Sequence, residues 1–229
     1  MSLYDKDKKY RRLPVAEEIG VAIVTGVYPP HSRLPNEQEL AAQRGISRGV
    51  VREGLKVLAA KGLLSSSPRS GTKVNVRTKW NLVDIDLLSW MKAVEPTSEF
   101  RSNLAQLRLI AEPAAAGLAA VNRTSHQLSE IGSALRNIHG DGLGSIKRKV
   151  GIRHFRRMVW QATSNELLIK VGEYIEFARM WGASTQGILI EDFDSEVLLY
   201  DELFNAFATE DGRAARETTI KIIRKEIRS

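Results

Sequence analysis

Helix-terminus signals crowd the stretch from Leu34 to Gly62, and they restrict the chain there to short helices joined by tight turns. The Asn36 side chain can accept from the open amides of a first helical turn, and Glu39, three residues on, completes a capping-box pattern. Leu40 and Ala41 then face inward and Gly45 closes the helix. Ser47 predicts the cap of the next helix, running to about Ala60, with Lys61 in its last turn and Gly62 at the C′ position. Upstream, from Leu13 to Val27, the residues Ala16, Ile19, Ala22, Ile23 and Val27 recur at helical spacing. Glu17 and Glu18 sit near the positive end of that helix dipole, and Gly26 and Pro29-Pro30 stop it.

The helix begun by Ser47 has two faces. Val51, Leu55 and Leu58 form a core stripe, while Arg48, Arg52 and Lys56 follow one another at i+4 on an outward face. In a helix–turn–helix the second helix presents such a face to base edges, where the arginine fork matches guanine O6 and N7. The alternative is a solvated basic helix surface. Gly62 to Val76 then reads as two short strands around a turn, with Arg69, Gly71 and Lys73 at or near its tip, which is a wing. Charge supports the pairing of helix and wing. Residues 1–80 hold 15 Lys/Arg against 7 Asp/Glu, or +8, while residues 81–229 hold 19 against 20, or −1. The excess positive charge belongs to the first third, as expected of a polyanion-binding head on a near-neutral body.

The stretches Leu34–Ala41, Ile46–Leu55, Leu58–Leu63 and Arg69–Val74 together resemble the winged helix–turn–helix of GntR-family bacterial transcription regulators. The resemblance covers about residues 12–76. It implies DNA contacts at Gln38, Ser47, Arg48, Gly49, Arg52, Ser70 and Gly71, with Arg69 and Lys73 added by the wing reading. Gly49 departs from the small hydroxyl or proline more common at its position, which bears on the bases read there.

Beyond the wing, residues 79–96 read as a linker that buries its tryptophans between domains, and their pattern resembles linkers of regulators of sugar-acid (galactonate-type) catabolism. Helical stripes then dominate. Leu104, Leu107 and Ala111, continued after Pro113 by Ala115, Leu118 and Ala119, predict one broken helix. Further stripes are Leu128–Ile138, Ile152–Trp160, Leu167–Ala178, Val197–Ala208 and Ala214–Ile227, so a bundle of about six helices follows. Gly140–Ser145 reads as a loop, lacking the strand and Gly-Lys-Ser/Thr of a phosphate cradle.

The expected fold is therefore mainly α. It comprises an N-terminal winged helix–turn–helix with a small β wing and a basic arm (1–78), a linker (79–96) and a C-terminal all-helical effector-binding and dimerisation bundle (97–229). Residues 95–227 resemble the effector bundle of the FadR-type (FCD) subfamily, through Arg108–Ala120, Phe155–Asn165 and Asp211–Ala215. Most members of that subfamily hold a divalent metal through one aspartate and three histidines. Here the matching positions are Ile152, Arg156, Tyr200 and Ile222. Isoleucine has no lone pair, arginine stays protonated, and one tyrosine does not hold a divalent ion, so no metal and no other cofactor is expected.

Arg156 and Arg108 are instead expected to supply positive charge directly to an anionic effector, with Tyr200 adding a hydroxyl and Ile152 and Ile222 lining the site. The competing reading has Arg156 paired with Glu112 or another bundle acid in a filled core. The four scattered histidines, the absence of cysteine and the lack of a nucleophile elbow argue against an enzyme. The expected protein is a cytoplasmic, homodimeric, ligand-responsive DNA-binding regulator with no membrane association. Its expected partners are double-stranded operator DNA and a small anionic metabolite such as a sugar acid. The alternative is an effector-independent DNA-binding dimer whose bundle serves only dimerisation.

Overall fold

In the computed structural model the residues described are 15–67, 71–140, 146–183 and 193–228, and the chain divides into two units, Met1–Pro96 and Thr97–Ser229. The first unit opens with α1, helical over residues 15–24, which buries Val15, Ala16, Ile19 and Ile23. Gly26, at φ +83°, turns the chain out of the helix. Val27 therefore lies past the end of the stripe expected to include it and is 70% exposed. Helix α2, Glu37–Arg44, is capped as its sequence predicts. Asn36 Oδ1 accepts from the amides of Gln38 and Glu39 at 3.0 Å, and the Asn36 amide donates to the Glu39 carboxylate at 2.9 Å.

Helix α3, Arg48–Ala60, starts at Ser47, whose Oγ accepts from the Val50 amide, and packs Val51 and Leu58 inward. Gly54 rather than Leu55 completes the buried line, because a Cβ at 54 would already meet Val15 Cγ1 of α1 at 3.0 Å. After Gly62 come β1, Leu64–Ser67, and β2, Gly71–Val74, paired antiparallel with Leu64 opposite Val74 and Ser65 opposite Lys73. Residues 31–34 add a partial third line: the Leu34 amide donates to Thr72 O, the Val74 amide to Ser32 O, and Arg33 bridges Lys73.

A 3₁₀ turn, Arg77–Lys79, leads to α4, Ile85–Met91. Trp90 of α4 packs on Gly20, where a Cβ would come within 2.4 Å of its ring, so it sits in the core of the first unit. Lys61 holds the approach to α4 through Asp84 at 2.7 Å and Asp86 at 2.8 Å, with only 9% of its side chain exposed. Burial alone would lower the Lys61 pKa, but the two carboxylates overcome that and raise it.

The second unit contains α5 (Ser98–Asn122), α6 (Ser125–His139), α7 (Ile146–Ala162), α8 (Glu166–Ala183), α9 (Phe193–Ala208) and α10 (Gly212–Arg228). Helix α5 runs without a break through Pro113, contrary to the sequence expectation. The proline removes one intrahelical bond, and tertiary packing along the buried face of the helix offsets that loss. By length and composition α5 could cross a membrane, yet it is the bundle's own packing helix, seated against α7, α8 and α10. Its Gly117 sits where a Cβ would fall 2.2 Å from Arg216 Nε of α10.

The core joins Ile131, Ile138, Phe155, Val159, Tyr200 and Phe207. Leu118 and Leu167, expected in stripes, are 37% and 73% exposed, since each lies just off its helix's inward arc. Of the loop expected at Gly140–Ser145, residues 141–145 lie outside the described residues.

Candidate DNA-binding face and buried arginine cluster

The cap at Ser47 sets the first turn of α3 so that Arg48, Gly49 and Arg52 are exposed, with Gln38 of α2 and Lys56 also in solvent. A Cβ at Gly49 would meet nothing closer than Ser47 Oγ at 3.9 Å, so this glycine leaves open space at the start of the helix. Arg52 is gripped by Glu37 of α2: its Nε lies 3.1 Å and its Nη2 3.0 Å from Glu37 Oε2. That hydrogen bond and the carboxylate charge raise the Arg52 pKa, and they fix the direction of its fork. On the wing, Gly71 takes φ +70° with open space around its Cα. Arg33 and Lys73 stand directly opposite one another, an arrangement that costs stability in a sheet and concentrates positive charge. The expected contacts Arg69 and Ser70 lie outside the described residues.

In the second unit the expected effector positions do come together, in an altered form. Arg108 Nε donates to Glu112 at 2.7 Å, and both Arg108 and Arg156 donate short hydrogen bonds to the two oxygens of Glu226. Arg156 Nη2 also donates to the Tyr200 hydroxyl at 3.0 Å. Arg179 of α8 donates to Glu226 Oε2 at 2.9 Å, stands 3.6 Å from Glu112 and reaches Glu176 at 4.0 Å. Among the described residues, three arginines thus face three carboxylates, and each of these side chains is less than a fifth exposed. The balance is numerical rather than geometric, because Glu176 Oε1 and Arg179 Nη1 are buried without a hydrogen bond.

Burial by itself would raise the Glu226 pKa, yet the charges of Arg156, Arg179 and Arg108 outweigh it and hold this carboxyl well below the usual carboxylate range. Glu226 in turn keeps Arg156 and Arg108 charged despite their burial. Beside the cluster lies a cavity of about 30 Å³ lined by Glu112, Phe155, Arg156, Tyr200, Thr219 and Ile222 among others. It has room for about one or two waters. Both arginines are paired with bundle acids, Arg108 with Glu112 and Glu226 and Arg156 with Glu226, which is the kind of pairing that the competing reading of the sequence, Glu112 or another bundle acid, describes.

The donor chemistry at the matching positions does not fit a divalent cation. Ile152 and Ile222 are buried in the apolar core, Tyr200 stacks edge-on to Phe155 and accepts from Arg156, and the neighbouring carboxylates are engaged by arginines. Glu226, Arg179 and Glu176 escaped sequence reasoning. Glu226 stands one turn beyond Ile222, and Glu176 and Arg179 share a helix arc with Gly172, whose Cα presses on Trp160. Charges on an arc that must be buried were the available signal.

Residues 12–74 match the model for bacterial regulatory proteins of the gntR family. The chain is 28% identical over 216 residues to the galactonate operon transcriptional repressor of Escherichia coli (strain K12), a match covering 92% of each. It is 36% identical over 121 residues to the uncharacterized HTH-type transcriptional regulator YieP of the same organism, so it spans about half of that relative's length (53%). A solved structure of Streptococcus agalactiae GntR aligns with a TM-score of 0.51 at 25% identity, covering 95% of this chain and 100% of the other. The relatives named are transcription regulators, not enzymes.

Proposed function

Because residues 12–74 make this chain a protein of the gntR family of bacterial regulatory proteins, we propose that it represses a catabolic operon and responds to an anionic metabolite held without a metal. A homodimer places two heads on operator DNA in the cytoplasm. The observation that carries the DNA half is the display of Arg48 and Arg52 on the outward face of α3, next to a wing whose Arg33 and Lys73 concentrate charge. Arg48 and Arg52 read bases or phosphates; Gln38, Ser47, Gly49 and the wing residues Arg69, Ser70, Gly71 and Lys73 position the head on the duplex.

The effector half rests on three buried arginines converging beside a cavity, a set suited to a carboxylate. The likeness to a galactonate operon repressor makes aldonates the first compounds to try. Effector binding shifts DNA affinity only through its different affinity for the two states of the dimer.

One observation favours a second reading. The cavity is small and its arginines are already neutralised, as in a bundle that serves only dimerisation. Gel-shift titration against DNA upstream of the protein's own gene, with and without aldonates, separates the two. Loss of specific binding in both Arg48→Ala and Arg52→Ala, in proteins of unchanged helix content, is the expected result for the DNA half.

A further inference from the structure

We infer that Glu226 is a built-in stand-in for the effector: its side-chain carboxylate occupies the anion site formed by Arg108, Arg156 and Arg179, and a carboxylate ligand binds by displacing it. This rests on the anion-pocket reading above and adds what fills the pocket when no ligand is present.

Three features of the cluster lead there. First, Glu226 is the acid on which the arginines converge, since all three donate to its two oxygens, whereas Glu112 meets only Arg108 and Arg179, and Glu176 only Arg179. Second, among the described residues the charges balance three against three. An anion added to such a buried set would leave one negative charge uncompensated, so a ligand carboxylate enters only as another carboxylate leaves. Third, Glu226 is the acid best able to leave. It lies in the last turn of α10, where the helix dipole disfavours a negative charge and where opening a single turn suffices to free the side chain. Glu112 and Glu176 lie within the long helices α5 and α8.

The small cavity follows from the same arrangement. The cavity is lined by Arg156, Tyr200 and Thr219 and not by Glu226, so withdrawal of the Glu226 side chain frees its own volume on the Arg156 guanidinium beside that cavity. Glu176 Oε1 and Arg179 Nη1, buried without hydrogen bonds, offer an acceptor and a donor to a ligand bearing hydroxyls beside its carboxylate, which is the chemistry of a hydroxy acid. The same step ties ligand to conformation, because the carboxylate that leaves is the one fastening the end of α10 to α5, α7 and α8.

Glu226→Ala removes the equivalent of one acetate ion, so acetate is the probe. Thermal unfolding of full-length wild type, Glu226→Ala and the Arg156→Ala/Glu226→Ala double variant would be followed against sodium acetate, with sodium chloride holding ionic strength constant. The expected result is saturable stabilisation of Glu226→Ala, at acetate concentrations at least tenfold below any that affect the wild type, and its loss in the double variant. Amide exchange over residues 219–228 should stay faster in acetate-loaded Glu226→Ala than in the wild type, since acetate fills the site without tethering α10. If Glu226→Ala is unfolded without acetate, its refolding yield from urea with and without acetate gives the same readout. Equal acetate response in wild type and Glu226→Ala overturns the inference and leaves the anion pocket standing. No response in either protein overturns both.

Discussion

Arg179 Nη2 donates to Glu226 Oε2 at 2.9 Å, joining the later part of α8 to the last turn of α10 inside a cluster of equal and opposite charge. The arginines depress the Glu226 pKa, so the stabilisation it brings is fully present above its ordinary value near 4.5 and is lost as pH falls toward the folded value. Urea unfolding followed by circular dichroism should therefore give a midpoint that declines below about pH 4.5 in the wild type, and declines less steeply in Glu226→Gln. Parallel curves for the two proteins would show that Glu226 is not the titrating group.

Removing one cation from the cluster leaves a buried carboxylate uncompensated. Arg156→Ala should destabilise the bundle by about 3–5 kcal/mol, the range found on breaking a buried ion pair. Arg156→Lys, which keeps the charge but not the position of Nη2, the one nitrogen that donates to both Glu226 and Tyr200, should fall between that variant and the wild type. Denaturant melts of the three proteins check the order.

On the head, Glu37 both orients Arg52 and places a negative charge near the expected phosphates. Glu37→Ala should weaken binding to the operator while strengthening binding to unrelated DNA, because it frees the Arg52 fork and removes a repulsive charge. Anisotropy titrations on both DNAs measure that ratio. A uniform gain on both would mean that Glu37 does not orient the arginine.

Lys73 and Arg33 form a cross-strand pair of like charge. Lys73→Ala should lower affinity modestly and reduce the slope of log K against log salt by about 1, as for one phosphate contact, with the preference among DNA sequences unchanged.

Much of the head was legible in the sequence because caps and turn glycines act locally. The Asn36–Glu39 box, Ser47 and Gly62 mark termini through bonds within a few residues, and the structure places each where its chemistry predicts. Arg33 was harder to see, since only the fold brings residues 31–34 beside β2. The continuity of α5 through Pro113 was hidden for a similar reason: propensity reports the local loss at proline, and tertiary packing overrides it.

The anion cluster was half legible. Arg108, Arg156 and Tyr200 stood out at positions taken from a resemblance, but their partners lie on α8 and α10, where only long-range packing brings Arg179 and Glu226 to the same point. Helix periodicity says which arc is buried, not which buried charges meet.

We propose that DNA binding by the head answers to a carboxylate bound at Arg156. Its most direct test is fluorescence anisotropy of the upstream DNA with full-length wild type and Arg156→Lys, titrated with galactonate and related aldonates. At least one aldonate should shift the wild-type dissociation constant tenfold or more while leaving Arg156→Lys, with equal DNA affinity in its absence, unresponsive. An equal shift in both proteins, or none in the wild type with any aldonate, would contradict it.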